Sequence, residues 1–396
     1  MMNISFKKMA NKVTALTIFL TLLLSVYYLL PFGVSLRITV FTYPLAIAAL
    51  TLLLFKGIRR SSHPANLGVL LKLLTFFVTS LMVSTLISHD IFINHGPISF
   101  LFIFVFSLLL ATLTISVNLE HFFLVTYLVV SVSVSILISY NYLFVEHYYW
   151  ARTTIKINDV LRDPNYVGAY IAAAPTILYM LFISTRAKAT WRVGFLSFII
   201  IMIFLFAAIA LGSRSVLVSM VAPLIMLYMY SQYKKKTFKP LLIAPIIILC
   251  LTLIPILMPD SRFFEKKASD LADLGVRSEI WSAAIERILQ QPLLGYGLSV
   301  DITEHTFGYA THNLYIDIAL FGGFVAVLLF LTYILGIIIL LPRQQILMSI
   351  LLMPLFLPIA SINGFMTFAF WLPIMMSLIL YSYLFKLKKI TNLNIQ

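Results

Sequence analysis

Charge is the scarcest commodity in this chain. Asp, Glu, Lys and Arg together make up 11% of its 396 residues, against 61% hydrophobic residues and a mean hydropathy of +1.02. So little charge excludes a soluble globular domain and places the chain among polytopic membrane proteins. Cysteine is nearly missing. Cys250 is alone and lies in an apolar run, which excludes an intramolecular disulfide and any Cys-rich metal site. Acids are half as frequent as bases, 14 against 28. Internal repeats, low-complexity tracts and a recognisable soluble domain are lacking as well.

What the chain does have is long apolar runs. A hydrocarbon core of about 30 Å needs roughly 20 apolar residues per helix. Runs of that size predict about twelve spans, near 13–30, 38–55, 67–87, 98–117, 120–140, 165–184, 193–211, 214–231, 239–257, 313–341, 345–361 and 364–385. The expected fold is all-α, a single polytopic membrane domain over 1–396. The lysines before the first apolar run resemble a signal peptide, but no small-residue cleavage site follows, so an uncleaved first helix is expected.

The net charge of +14 would suit nucleic acid if it were clustered on a soluble surface. It is instead distributed by side. With the N-terminus in the cytoplasm and alternating spans, Lys7, Lys8, Lys12, Lys56, Arg59, Arg60, Arg186, Lys188, Arg192, Lys234, Lys235, Lys236, Lys239, Arg343, Lys386, Lys388 and Lys389 fall inside. Nearly every acid falls outside, with Glu120 the exception. This positive-inside pattern explains the basicity without nucleic acid and predicts both termini in the cytoplasm.

The outer face then carries two sizeable loops, 141–164 and the larger, polar 258–311, which is expected to hold short amphipathic helices. Outer arginines run against the charge bias, so each calls for a reason. Arg214 follows the tight Gly212-Ser213 turn between two spans. Ser213 suits an N-cap, which puts Arg214 in a first helical turn where the macrodipole disfavours a cation. An anion held between the guanidinium and the free N–H groups would account for it; an arginine reaching lipid headgroups is the plainer reading. Arg277 opens a stretch whose apolar residues, Ile280, Trp281, Ala284, Ile285, Ile288 and Leu289, recur at one-face helical spacing. Arg277 projects from the middle of that face, where it needs a carboxylate or phosphate partner; Asp273 is one alternative. Arg287 lies at the edge of the same stripe. Pro292 ends the helix, and Gly295-Tyr296-Gly297 reads as turn geometry.

His312 stands where the large loop gives way to a span, a place for a general base at the lipid–water boundary or simply for an interfacial polar residue. Asp317 lies a turn further in, where an acid is costly and usually paired. It could orient Asn313, bind a substrate hydroxyl or join a salt bridge. Asp163 and Pro164 form a helix-start signature, with Arg162 beside them facing an anionic ligand or a headgroup. Asp301, Glu304, His305 and His312 share the outer side, but their spacing matches no familiar metal set, so neither metal nor cofactor is expected.

Taken in order, these residues resemble the O-antigen ligase and polymerase superfamily of bacterial inner-membrane proteins. The resemblance rests on Arg214 in GSRS, Arg277 with Trp281 as R-x-x-x-W, the turn Pro292 to Gly297, and His312-Asn313 followed by Gly322-Gly323. It covers about 165 to 335. The DPNYVGAY segment looks more like the polysaccharide polymerases, and Leu314 stands where the ligases often carry an acid. The resemblance implies a metal-independent glycosyltransferase of the C-type membrane architecture, with its active site facing the periplasm. Its donor and acceptor would be undecaprenyl-diphosphate-linked glycans. Arg214 and Arg277 would meet the pyrophosphate, His312 would act as base, and Arg287, Asn313, Asp317 and Arg162 would bind substrate. The expected activity is polymerisation of lipid-linked repeats, for O-antigen, capsule or exopolysaccharide. A ligase acting on lipid A-core and a transporter of the same lipid-linked substrate are the alternatives. The lipid bilayer is an expected partner, and the polymerase reading leaves room for a chain-length regulator.

Overall fold

The computed structural model describes residues 65–87, 117–145, 148–149, 152–157, 160–161, 163–184, 191–234, 268–298, 311, 313–340, 376, 379–380 and 383–384. The spans expected near 13–30, 38–55, 239–257 and 345–361 lie outside these residues, as does nearly all of 98–117. In chain order the described helices are α1 (Ala65–Ile87), α2 (Val117–Phe144), α3 (Pro164–Ile171), α4 (Ala174–Ser184), α5 (Trp191–Ala210), α6 (Arg214–Lys234), α7 (Ala268–Gln290) and α8 (Leu314–Leu340). Among the described residues, four stretches have the length and apolarity, by composition alone, to cross a membrane: Glu120–Phe144, Pro164–Phe182, Arg192–Ala210 and Leu314–Gly336, the last interrupted at Gly323.

The apolar helices long enough to span carry apolar residues on both faces, as lipid requires. On α2, Phe123, Leu124, Tyr127, Val134 and Ile138 are buried, while Phe122, Val125, Val129, Ile136 and Leu143 are exposed. Buried residues of α1 to α6 and α8 join one contiguous apolar cluster. The α5 helix packs on α2, α4 and α6, and α1 packs along α8 more extensively than any other pair of elements.

Three departures from the sequence expectation follow from backbone chemistry. The loop 141–164 is not structureless, so the described chain is not purely α. It contains two antiparallel two-residue ladders, β1 (Tyr148–Tyr149) with β2 (Arg152–Thr153), and β3 (Lys156–Ile157) with β4 (Val160–Leu161). Asn141 Nδ2 donates to the Thr154 carbonyl at 3.0 Å, and Thr153, Thr154 and Ile155 are buried. The segment is thus tied down onto α2. The span near 165–184 is two helices, α3 and α4, separated by a turn at Ala172 and Ala173.

The largest departure is in α8. Gly323 has φ 64° and ψ −168°, so the helix is broken into a first half, 314–322, and a second half, 324–340. The chain folds back sharply there. The rings of Tyr315 and Phe330 lie 6.4 Å apart between centroids, whereas a straight helix would separate their Cα atoms by about 22 Å. The first half is buried almost throughout: Leu314 and Asp317 to Phe321 are all inaccessible, with Tyr315 at its outer edge.

The large loop supplies what this break needs. In an unbroken helix the N–H groups of Phe324 and Val325 would donate to the carbonyls of Leu320 and Phe321. Here Phe324 N donates to the Pro292 carbonyl at 2.8 Å and Val325 N to Leu293 at 3.4 Å. The freed Leu320 and Phe321 carbonyls accept from Tyr296 N and Gly297 N, each at 2.8 Å. All four of these groups are therefore paired with the turn 292–297, as backbone buried away from water demands. The two glycine features read separately from sequence are two halves of one interlock. A Cβ on Gly295 (φ 64°) would meet the Leu320 carbonyl at 2.5 Å and Gly323 N at 2.7 Å. The end of α1 closes the joint. Ser84 Oγ donates to the Phe321 carbonyl at 2.7 Å and lies against that of Leu294, and Thr85 Oγ1 accepts from Leu298 N at 2.9 Å.

Candidate functional site

The α7 helix begins at Ala268, well before the start expected at Arg277, so Arg277 lies inside it and not ahead of it. Its buried face is Ala284 and Ile288, which pack on Ala319 and Leu320 of the first half of α8. The expected stripe is narrower in the structure: Ile285 and Leu289 are exposed.

Trp281, one turn after Arg277, ties α7 to the start of α8. Its Nε1 donates to the Thr311 carbonyl at 2.8 Å. The buried Thr311 hydroxyl in turn donates to Asp317 Oδ1. Asn313 caps the helix: its carbonyl accepts from Asp317 N at 2.9 Å, and its Oδ1 accepts from Tyr315 N at 3.0 Å and Ile316 N at 3.4 Å. The first and third residues of Thr311-His312-Asn313 are therefore fixed by α7 and by the helix cap. His312 itself lies outside the described residues, as do Arg162 and the weighed metal set Asp301, Glu304 and His305.

These bonds revise two roles expected from sequence. Asp317 does not orient Asn313 through its side chain; its partner is Thr311. The Asn313 carboxamide oxygen is spent on capping, which leaves its Nδ2 for any substrate contact. Arg287 is exposed and bonds Gln290 Oε1 at 3.3 Å, while its carbonyl accepts from the Tyr296 hydroxyl at 3.1 Å. Trp281 and Thr311 were not singled out as positioning residues by chemistry, since neither titrates and one hydrogen bond runs through a backbone carbonyl.

Arg214 is the first residue of α6. Gly212, at φ 61°, ends the preceding turn, and the Ser213 carbonyl accepts from Leu217 N at 3.1 Å, so Ser213 holds the N-cap position as expected. Its hydroxyl donates to Asn165 Oδ1 at 3.0 Å. Asn165 belongs to the start of α3, where Asp163 is the N-cap, accepting from Asn165 N at 2.7 Å ahead of Pro164. The GSRS and DPN segments are thus brought together at one end of the bundle. The approach is close: a Cβ on Gly168 would meet Val216 Cγ2 at 2.5 Å.

The family model described as O-antigen ligase matches residues 199–331. That region includes Arg214, Arg277, Arg287, His312, Asn313 and Asp317, and both halves of the interlock. It supports a glycan-transferring role of the ligase or polymerase type in O-antigen assembly, acting on lipid-linked glycans in a membrane. No curated protein and no solved structure matches the chain.

Proposed function

We propose, from the premise that residues 199–331 tie this chain to the O-antigen ligase and polymerase superfamily, that it polymerises undecaprenyl-diphosphate-linked oligosaccharide repeats on the outer face of the cytoplasmic membrane. The observation that carries this reading is the bond from Trp281 to Thr311. It couples the helix bearing Arg277 to the residue before His312, which supports reading the expected anion-binding element and the expected base as parts of one site.

In this reading the donor sugar arrives already activated on its lipid carrier. An acceptor hydroxyl attacks the anomeric carbon from the side opposite the pyrophosphate. The anomeric carbon–oxygen bond breaks, undecaprenyl diphosphate leaves with the electron pair, and the hydroxyl proton passes to the His312 imidazole. Configuration at the anomeric carbon inverts. Arg277 and Arg214 stabilise the charge that develops on the leaving diphosphate, by charge-assisted and bidentate hydrogen bonds. The chain-turning pair Ser213 and Asn165 holds the start of α6, where Arg214 sits, against the start of α3, where Arg162 precedes.

Reconstitution with a lipid-linked repeat unit alone tests the reaction type. Longer lipid-linked glycans are expected. Product only after adding lipid A-core would favour the ligase, and loss from one leaflet without new bonds a transporter. Arg277→Ala and Arg214→Ala should each abolish product while the protein still inserts; full activity in both removes the diphosphate assignment. His312→Ala should lose turnover more than donor binding.

A further inference from the structure

One edge of α7, continued by Leu293 in the turn that follows it, carries an exposed apolar ridge. Ile285, Leu289 and Leu293 are 50, 64 and 68% exposed. Ile285 and Leu289 lie between the face packed on α8 and the polar side formed by Glu279, Ser282 and Glu286. The ridge does not stop at the end of α7. Through the bond from Val325 N to the Leu293 carbonyl, it runs onto the second half of α8. There Phe324, Val325, Leu328, Leu331 and Leu335 are exposed at helical spacing, the stripe a spanning helix turns to lipid.

The helices beneath the interlock fix its depth. The α1 helix runs antiparallel to the second half of α8. Phe77 stacks near Phe330 at 5.3 Å between centroids, and Ser84, two turns on, bonds Phe321. From the interlock, Gly323–Leu340 provides about 26 Å of helix and Ala65–Thr85 about 30 Å. The second half of α8 comes close to the hydrocarbon core of about 30 Å, and α1 reaches that length with its exposed Lys72 toward the far end. The interlock therefore stands at the membrane boundary where both helices end, and Leu293 is attached to it. The ridge is flanked by residues suited to that level: Arg287, exposed, and Tyr296, whose hydroxyl bonds the Arg287 carbonyl. A cation on a long stem and a phenol are what an interface selects.

We propose that α7 is an interfacial helix whose ridge, Ile285, Leu289 and Leu293, inserts into the leaflet on this side of the bundle, with the bilayer as its partner. The helix is held at the lipid surface on one edge and against the buried half of α8 on the other. The assignment rests on exposure and helix lengths alone and does not depend on the transferase reading.

The test uses the full chain with Cys250→Ala. Leu289→Cys, Leu293→Cys, Glu286→Cys and Leu328→Cys are introduced one at a time and labelled with an environment-sensitive fluorophore. Each protein is reconstituted into phosphatidylcholine–phosphatidylglycerol vesicles carrying nitroxide lipids of two depths. Labels at 289 and 293 should show blue-shifted emission and be quenched more by the shallow nitroxide than by aqueous iodide. The label at 328 should answer to the deeper nitroxide, and that at 286 to iodide. Iodide quenching at 293 equal to that at 286 overturns the proposal. So does a label at 293 that neither quencher reaches, since protein would then cover the ridge.

Discussion

Replacing Gly323 by Ala tests whether the broken helix and the glycine turn form one joint. At φ 64° and ψ −168° the backbone is in a region nearly reserved for glycine, and a side chain there costs about 1–3 kcal/mol. The added Cβ also overlaps the Leu293 carbonyl and comes within 2.6 Å of Leu294 N. Those atoms are backbone and cannot swing aside. The turn must withdraw, and with it go the crossing bonds from Tyr296, Gly297, Phe324 and Val325. A buried polar group left unpaired costs about 1–3 kcal/mol. Strain plus the loss of two such pairings comes to about 6 kcal/mol. At about 2 °C per kcal/mol for a chain of this size, the apparent melting temperature should fall by about 12 °C. The assay is thermal unfolding in detergent followed by size exclusion, with glycan transfer measured alongside. Gly194→Ala is the control, because its Cβ would meet only the Phe182 ring at an ordinary 3.4 Å. A Gly323→Ala protein that melts within about 2 °C of the parent and keeps full transfer would refute the interlock.

Three further substitutions probe the site. Trp281→Phe removes the donor to the Thr311 carbonyl; a bond of this kind is worth about 1 kcal/mol, so turnover should fall roughly fivefold with donor KM little changed, and an equal rise in KM would speak against positioning. Thr311→Val leaves the buried Asp317 carboxylate without its hydroxyl partner and should cost more than Thr311→Ser, which keeps it; equal activity in the two would remove the pairing from the account. Gly168→Leu, at a position already 2.5 Å from Val216 Cγ2 once a Cβ is built, should separate α3 from α6 and lower both stability and transfer, whereas parent-like melting would show that the contact is slack.

Much of the site was legible in the sequence because local chemistry dictates it. Asp163-Pro164 starts a helix whatever surrounds it, and Ser213 after Gly212 caps the next one, so both appear where expected. The amphipathic stretch around Trp281 forms its helix, but no capping motif marks the true start at Ala268, nine residues before Arg277. Asn313 was legible as a polar residue at a helix start but not as the cap, because capping and substrate binding draw on the same carboxamide.

Sequence alone determined that this is a membrane protein, through apolar runs of bilayer length, and which arginines and which histidine carry unusual placement. Those are one-dimensional properties of hydropathy and charge. Tertiary structure decided that the paired glycines break a span, that the polar loop repairs the break, and that Thr311 is held between Trp281 and Asp317. The crossing bonds from Trp281 to Thr311 and between 292–297 and 320–325 join residues tens of positions apart. A backbone group freed inside an apolar environment must find a partner, and only the folded chain determines which one.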